Sequence, residues 1–187
     1  MSSSPKLIVL DRDGVINHDS DEFVKNLSEF VPIPGSIDAI ARLSQAGFFI
    51  AVATNQSGLA RGLLSEETLH AMHQFLFDEV KQAGGKIEMV VFCPHGPDSD
   101  CTCRKPKPGL LEAISAELQI PLTEALVIGD SYRDLEAAWA VGAKAILVLT
   151  GKGQRTLQAH PELNQSGTIY PDLASFAQSI LKESTHG

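Results

Sequence analysis

Short apolar runs alternate with longer amphipathic stretches along this chain, and no other feature of the sequence limits its possible folds so strongly. The runs have the length of buried strands, whereas the stretches between them are long enough for helices. Strands that alternate with helices are typical of a parallel sheet covered on both faces. We therefore expect an α/β fold, a Rossmann-like three-layer sandwich around a central parallel sheet. The predicted strands are 6–10, 48–54, 89–93, 125–128 and 145–149.

The intervening stretches carry apolar residues at intervals of three and four, the period of an amphipathic helix. The clearest case is the stretch 66–82, in which Met72 is expected to face the core. Trp139 is also expected in the core. Helices are predicted at 37–45, 66–82, 110–118 and 132–141, and the more polar chain after residue 151 predicts a short strand near 168–170 and a last helix from Asp172.

Length and charge limit the kind of protein this can be. With 187 residues, 43% of them hydrophobic, the chain can bury one sizeable core, so we expect a single domain over 1–187. The net charge of -8 argues against nucleic-acid or anionic-membrane partners, which require a basic surface. Residues 7–10 are the only strongly apolar run near the N-terminus and are too few for a signal peptide or a membrane span. We expect a cytoplasmic protein.

Polar side chains follow three of the predicted strands at the point where each strand ends. Asp11 and Asp13 follow the first strand, Thr54 ends the second, and Asp130 follows the fourth. Ligands of open α/β sheets bind beyond the carboxyl ends of the strands. If these strands are neighbours, the three aspartates converge and need a cation, and oxygen-only ligands favour Mg²⁺. The alternative is that each motif alone forms an ordinary turn or helix cap.

Three cysteines and a histidine form a second cluster, and the three cysteines fall within eleven residues of each other. Cys93, His95, Cys101 and Cys103 supply three thiolates and one imidazole at short range, a tetrahedral zinc set with no open position. We therefore expect a structural Zn²⁺ that orders the loop before Arg104 and Lys105. The alternative is three reduced, unrelated thiols.

Taken together, these motifs resemble the haloacid dehalogenase superfamily of phosphohydrolases and occur in the same order along the chain. The resemblance implies that Asp11 is the nucleophile, which forms an aspartyl-phosphate, and that Asp13 is the general acid and base. It implies that Thr54 and Lys105 hold the transferring phosphoryl group. It also implies that Asp130 completes the Mg²⁺ site with Asp11 and the main-chain carbonyl of Asp13. Superfamily dehalogenases lack the second aspartate, so Asp13 favours phosphatase chemistry.

Two branches of the superfamily combine these motifs with a zinc loop: heptose bisphosphate phosphatases and histidinol-phosphate phosphatases. The stretches 54–62 and 103–109 are similar to the heptose branch, which implies hydrolysis of D-glycero-D-manno-heptose 1,7-bisphosphate to the heptose 1-phosphate. The five residues between His95 and Cys101 form a short loop that resembles the histidinol branch, so histidinol phosphate stays the alternative substrate. The substrate-binding residues implied by the resemblance are Asp19, Asn55, Gln56, Ser57, Arg104 and Ser131. For Arg104, as for Arg61, the alternative is a solvated surface charge.

The spacing of the motifs leaves no room for an inserted cap domain. Residues 15–53 are taken up by one loop, one helix and one strand, and 55–104 by one helix, one strand and the zinc loop. We therefore expect a site covered by short loops, 17–25 and the zinc loop. We also expect a monomer, and the resemblance implies that its partner is a small sugar phosphate. An enzyme is not the only possibility: a zinc-stabilised binding module without turnover would have the same fold.

Overall fold

The computed structural model describes residues 6–166 and 168–185 of the chain. Residues 1–5, 167, 186 and 187 lie outside this described part. The predictions that include them, the single domain over 1–187 and the N-terminal segment before the first strand, are therefore followed only over the described ranges.

Six strands form one sheet in which every pair of neighbours is parallel. The strands are β1 Leu7–Leu10, β2 Phe49–Asn55, β3 Met89–Cys93, β4 Leu126–Gly129, β5 Lys144–Val148 and β6 Ile169–Tyr170. Their order across the sheet is β3-β2-β1-β4-β5-β6. All five long predicted strands are present within one residue at each end, and the short sixth strand is present as well. The order reverses at β1, which places β2 on one side of it and β4 on the other.

Helices cover both faces of the sheet. They are α1 Ser36–Gln45, α2 Glu66–Gln82, α3 Gly109–Leu118, α4 Tyr132–Ala140, α5 Gly153–Ala159 and α6 Leu173–Thr185. Ser65 caps α2, because its side chain accepts a hydrogen bond from the backbone N–H of Thr68. The sequence did not predict α5, whose seven residues are too few and too polar to show a helical period.

The two faces of β1 show where the core lies. Ile8 and Leu10 belong to an apolar cluster formed with α1, α2 and α6, whereas Leu7 and Val9 belong to a second cluster formed with α3 and α4. All four side chains are buried. Since burying an aliphatic side chain stabilises a fold by about 1.5–3 kcal/mol, the central strand is held from both sides. This confirms the three-layer sandwich.

One core prediction was wrong. Met72 is fully buried as expected, but the side chain of Trp139 is 48% exposed. The buried face of α4 is formed by Leu135 and the small side chains of Ala137 and Ala138, so Trp139 projects to the surface and packs edge-on against Tyr132. Among the described residues, no helix is long and apolar enough to cross a membrane.

Candidate active site

The carboxyl ends of β1, β2 and β4 open into one cleft of about 310 Å³. The reversal of strand order at β1 separates the helices on its two sides, which creates this crevice. All residues that the sequence predicted as catalytic, substrate-binding or Mg²⁺-binding line it. They are Asp11, Asp13, Asp19, Thr54, Asn55, Gln56, Ser57, Arg104, Lys105, Asp130 and Ser131.

Three carboxylates meet at the floor of the cleft, two of them buried and that of Asp11 half-buried. Asp11, Asp130 and Asp134 each place an oxygen within 4.8 Å of the others. Burial, followed by repulsion from Asp134, raises the pKa of Asp11 to about 7. Burial, followed by repulsion from Asp11, raises the pKa of Asp130 to about 9. A group of oxygen ligands that repel each other in this way fits a divalent cation, and hard oxygen donors fit Mg²⁺.

The composition of this group differs from the expectation. The third carboxylate belongs to Asp134 and not to Asp13, whose side chain is turned towards a different set of donors. Sequence reasoning missed Asp134 because it lies in the first turn of α4, where an aspartate is an ordinary cap. It does serve as one: its Oδ2 accepts from the backbone N–H and the hydroxyl of Ser131.

Lys105 supplies the cation within this acidic floor. Its Nζ lies 3.0 Å from Asp11 Oδ1 and 2.6 Å from Asp134 Oδ1, and it donates to the carbonyl of Ala53 at 2.8 Å. Although burial opposes it, the attraction of Asp11 and Asp134 raises the pKa of Lys105 above its usual range. Asn55 holds the lysine in place, because its side-chain amide exchanges two hydrogen bonds with the Lys105 backbone, of 3.1 and 3.2 Å.

The carboxylate of Asp13 is held by three donors beside the acidic floor. Its Oδ1 accepts from Arg12 Nη2 at 2.9 Å and from Asn17 Nδ2 at 2.7 Å, and its Oδ2 accepts from Gln56 Nε2 at 3.0 Å. Gln56 also donates to the hydroxyl of Thr54 at 2.9 Å, so the ends of β1 and β2 are joined by side chains. Sequence reasoning did not assign a role to Arg12 or Asn17, since no motif spacing singles out either residue.

The loop after β5 contacts Asp130 and Gly14. The backbone N–H of Lys152 donates to Asp130 Oδ2 at 2.8 Å, and the hydroxyl of Thr156 donates to the carbonyl of Asp130 at 2.8 Å. The hydroxyl of Thr150 donates to the carbonyl of Gly14 at 2.6 Å. Glycine at position 14 has a φ of 86°, and a Cβ there would collide with Asp130 Oδ2. Lys152 of this loop also lines the cleft.

The cysteine cluster lies at the end of β3, on the rim of the cleft. The Cys93 Sγ is 3.0 Å from Cys103 Sγ, 3.7 Å from Cys101 Sγ and 3.5 Å from His95 Nδ1. A tetrahedral zinc site with bonds of about 2.3 Å separates its ligand atoms by about 3.8 Å, so the four residues fit one ion. Burial raises the pKa of the Cys93 thiol to about 12, and a bound cation would favour the thiolate instead.

Arginines from three different segments surround the mouth of the cleft. Arg61 follows β2, Arg104 follows the cysteine loop, and Arg133 lies in the first turn of α4. Burial, together with the positive charges of Arg133 and Arg61, lowers the pKa of Arg104. The Arg61 guanidinium lies 5.4 Å from the ring centroid of Phe23, which also lines the cleft. The three like charges are close enough to repel each other, as expected of an anion-binding site.

Comparisons with known proteins agree with this architecture. The family model described as polynucleotide kinase 3 phosphatase matches residues 6–137, and the model described as HAD-hydrolase-like matches residues 102–176. A D-glycero-beta-D-manno-heptose-1,7-bisphosphate 7-phosphatase of Pseudomonas putida is 55% identical over 176 residues, which are 94% of this chain and 99% of that protein. The enzyme of the same name from Pseudomonas aeruginosa is 52% identical over 179 residues, 96% of this chain and 99% of that one.

A solved structure gives the same result in three dimensions. The crystal structure of D,D-heptose 1,7-bisphosphate phosphatase from B. bronchiseptica, complexed with magnesium and phosphate, superposes with a TM-score of 0.87. It is 46% identical, and the match covers 95% of this chain and 99% of that one. With its parallel sheet, its acidic cleft and these relatives, the chain belongs to the HAD-like hydrolases, in the family of D-glycero-beta-D-manno-heptose-1,7-bisphosphate 7-phosphatases.

Proposed function

We propose that this protein is a Mg²⁺-dependent phosphatase that converts D-glycero-D-manno-heptose 1,7-bisphosphate to the heptose 1-phosphate through an aspartyl-phosphate on Asp11. The observation that carries the proposal is the position of the Asp11 carboxylate. It lies on the floor of the cleft, beside a buried lysine and two further carboxylates, while Asp13 lies two residues away. The family relationship supports the same reaction.

In the first half of the reaction, an oxygen of ionised Asp11 attacks the C7 phosphorus. The bond between phosphorus and the sugar oxygen breaks, and Asp13 gives its proton to the departing oxygen. The raised pKa of Asp11 shows that burial works against its ionised form, so Lys105 has to favour the carboxylate at the moment of attack. Lys105 and the hydroxyl of Thr54 also lie where they can bind the oxygens of the transferring group.

In the second half, water attacks the phosphorus of the aspartyl-phosphate. Asp13, now ionised, takes a proton from that water, the bond to Asp11 breaks, and inorganic phosphate leaves. The Asp11 carboxylate is restored and Asp13 is protonated again, so the cycle is balanced. Arg12, Asn17 and Gln56 keep Asp13 in one place through both halves.

We propose Asp11, Asp130 and Asp134 as the side chains that hold Mg²⁺, since their oxygens lie within 4.8 Å of one another. The Asp13 main-chain carbonyl is the further ligand that the superfamily resemblance implies. The bound ion would reduce the repulsion between Asp11 and the phosphate dianion. Cys93, His95, Cys101 and Cys103 are proposed to hold Zn²⁺ as a structural ion. Arg104 and Lys105 follow Cys103 directly, and Arg104 Nη1 donates to the carbonyl of His95 at 3.2 Å, so an ordered loop fixes both cations.

The second phosphate of the substrate accounts for the arginines at the mouth. A bisphosphate brings two anionic groups, and Lys105 with the metal site can neutralise only the one being transferred. Arg61, Arg104 and Arg133 are placed around the opening where the C1 phosphate would lie, and guanidinium groups bind phosphate through paired donors. Histidinol phosphate carries one phosphate and would leave this cluster without an anion.

A substrate panel tests the proposal. Phosphate release is measured from the heptose 1,7-bisphosphate, from histidinol phosphate and from a 3′-phosphorylated oligonucleotide, each with and without Mg²⁺. We expect the heptose bisphosphate to have the highest kcat/KM and to require Mg²⁺. Asp11→Asn should abolish turnover and keep the circular dichroism of the fold. A higher kcat/KM for histidinol phosphate or for the oligonucleotide would show that the proposed substrate is wrong. An active Asp11→Asn variant would show that Asp11 is not the nucleophile.

We also propose that the chain acts as one domain, as a monomer and in the cytoplasm. The described cysteines are free thiols that lie next to each other, which suits a reducing compartment. All residues proposed as catalytic lie in the cleft of a single protomer, which supports a monomer as the functional unit. Analytical ultracentrifugation of the full chain should give the mass of a single protomer.

A further inference from the structure

Arg12 lies between the two catalytic aspartates, and its side chain is fully buried. Its Nε and Nη2 donate to Asp13 Oδ1 at 3.1 and 2.9 Å, and Nη2 also reaches Oδ2 at 3.3 Å. The planar guanidinium therefore fixes the plane of the Asp13 carboxylate as well as its distance. If the Arg12 guanidinium rotated, the Asp13 carboxylate would turn with it.

The other end of the guanidinium is held by residues outside the sequence motifs. Arg12 Nη1 lies 3.2 Å from Nε2 of His73, a buried residue of α2 that is 61 positions away in the sequence. The Arg12 Cζ lies 5.4 Å from the ring centroid of Phe30. On its far side, the His73 ring packs against Phe92 of β3 at a centroid distance of 6.1 Å. Arg12 is therefore clamped between Asp13 on one side and His73 on the other.

His73 can serve this contact only as an acceptor, because arginine has no lone pair to offer. Burial, followed by the charge of Arg12, lowers the pKa of His73 to about 3, so the ring is neutral at physiological pH. The Nε2 lone pair then accepts from Arg12 Nη1, and the ring proton is on Nδ1. Without an acceptor at this point, a buried N–H of a charged group would be left unsatisfied.

We propose that His73 is a positioning residue for the phosphatase reaction, which holds Arg12 and through it aims Asp13 at the leaving oxygen of the substrate. The inference rests on the proposed function, since it takes Asp13 as the general acid and base. General acid–base catalysis contributes about 10²–10⁴-fold to a rate, and its efficiency depends on the position of the proton donor. Loss of His73 should therefore weaken the proton transfer and leave substrate binding intact.

The test compares two leaving groups in three variants. His73→Leu removes the acceptor, His73→Gln keeps one in its amide oxygen, and His70→Leu is the matched control, an exposed histidine one turn earlier in α2. An alkyl phosphate such as the heptose bisphosphate needs a protonated leaving oxygen, whereas p-nitrophenyl phosphate does not. For H73L we expect kcat/KM on the alkyl ester to fall about tenfold or more, with little change on p-nitrophenyl phosphate. H73Q should recover most of the loss, and H70L should match the wild type.

A general structural defect would give a different pattern. Equal losses on the two esters, or no loss on either, would overturn the positioning role. If H73L does not fold, His73→Asn takes its place, since its shorter amide cannot reach Arg12 but keeps a polar group in the same space. Crystal structures of the wild type and the variant add a readout that needs no activity: we expect the Asp13 carboxylate to be displaced, and an unchanged carboxylate would also overturn the role.

The same experiments separate this inference from the proposed substrate. A wild-type enzyme that leaves the heptose bisphosphate intact but hydrolyses another alkyl phosphate would reject the substrate. The comparison of alkyl and aryl esters would then use that other ester, and its outcome would still decide the role of His73.

Discussion

Lys105 is the residue on which the charge balance of the floor depends. It lies within 3.0 Å of two carboxylates and is buried, as is Asp134, whereas Asp11 is half-buried. Replacing Lys105 by Met would keep the length of the side chain but leave Asp11 and Asp134 facing each other without a cation. Breaking a buried ion pair in this way costs about 3–5 kcal/mol.

For Lys105→Met we therefore expect the free energy of unfolding to fall by about 3 kcal/mol and kcat to fall at least about 100-fold. Urea unfolding and phosphate release measure the two effects. Lys81→Met, at an exposed position in the last turn of α2, is the control and should change neither. A stable, active K105M enzyme would show that the buried lysine is dispensable.

The low pKa of His73 leads to a prediction about how the stability of the fold depends on pH. The unfolded chain protonates this histidine near its ordinary pKa of 6.5, but the folded protein does so only near 3, because burial and the charge of Arg12 oppose the cation. Between these values the unfolded state binds more protons, so stability falls as the pH is lowered from 6.5, by up to about 1.4 kcal/mol per pH unit.

His73→Gln removes this titration and leaves the other ionisable groups as they are. We expect wild type to lose stability more steeply than H73Q between pH 6.5 and 4.5, as measured by urea unfolding at several pH values. Parallel curves for the two proteins would mean that His73 is protonated in the folded state as readily as in the unfolded one.

At the scale of elements, the cysteine loop contains no helix or strand over residues 94–108. It connects β3 to α3, and its described contacts with the cleft run through the Cys3His cluster, Arg104 and Lys105. Structural zinc in small peptides is worth about 10–16 kcal/mol, enough to order such a loop.

Removal of the metal should therefore loosen this loop before the rest of the fold. We expect faster amide hydrogen exchange across residues 94–104 and a lower kcat in chelated protein, with exchange in β1 unchanged. Cys101→Ser should reproduce the effect, and Asp98→Asn, at an exposed position in the same loop, should not. Identical exchange in metal-free and metal-loaded protein would reject a structural ion.

The turns after β1 and β5 approach each other so closely that only glycine fits. Gly14 and Gly47 both have a positive φ, of 86° and 94°, but a Cβ would collide with Asp130 only at Gly14 and would meet no atom within 4 Å at Gly47. Gly47→Ala should cost only the strain of the left-handed conformation, about 1–2 kcal/mol.

Gly14→Ala would have the same strain of the left-handed conformation and, in addition, a collision between the new Cβ and Asp130. We expect a larger fall in melting temperature than for G47A and a loss of the shift that Mg²⁺ produces, since Asp130 must move. Differential scanning calorimetry of the two variants with and without Mg²⁺ provides the comparison. Equal behaviour of G14A and G47A would mean that the turn can relax without disturbing the metal site.

For the whole molecule, the acidic floor couples cation binding to folding. The carboxylates come from the end of β1, the end of β4 and the first turn of α4, and they meet only when the sheet has formed. An ion that binds the folded state alone stabilises it by about 2.7 kcal/mol at a concentration 100 times its Kd.

We therefore expect Mg²⁺ to raise the melting temperature of the wild type and to have little effect on Asp130→Asn. Asp38→Asn, which removes an exposed carboxylate on α1 far from the cleft, should keep the full response. A D130N protein that responds to Mg²⁺ like the wild type would place the ion elsewhere.

The sequence predicted the three-layer fold and the position of each reactive group along the chain, because both depend on neighbouring residues. Strand and helix periods are local, as with Ile8 and Leu10 on one face of β1, and the four zinc-ligand candidates fall within eleven residues. Trp139 shows the limit of such reasoning: its helix was predicted correctly, but which face of α4 would be buried was not.

The contacts that join distant parts of the chain were decided by the tertiary structure. Lys105 meets Asp11 across 94 positions, and Arg12 meets His73 across 61. Asp134 lies near Asp11, and the loop after β5 contacts Asp130 and Gly14, because β1, β4 and β5 are neighbours in the sheet. Periodicity and spacing describe neighbours in the sequence, whereas the order of the strands is set by how the whole core packs, and that order brings distant charges into contact.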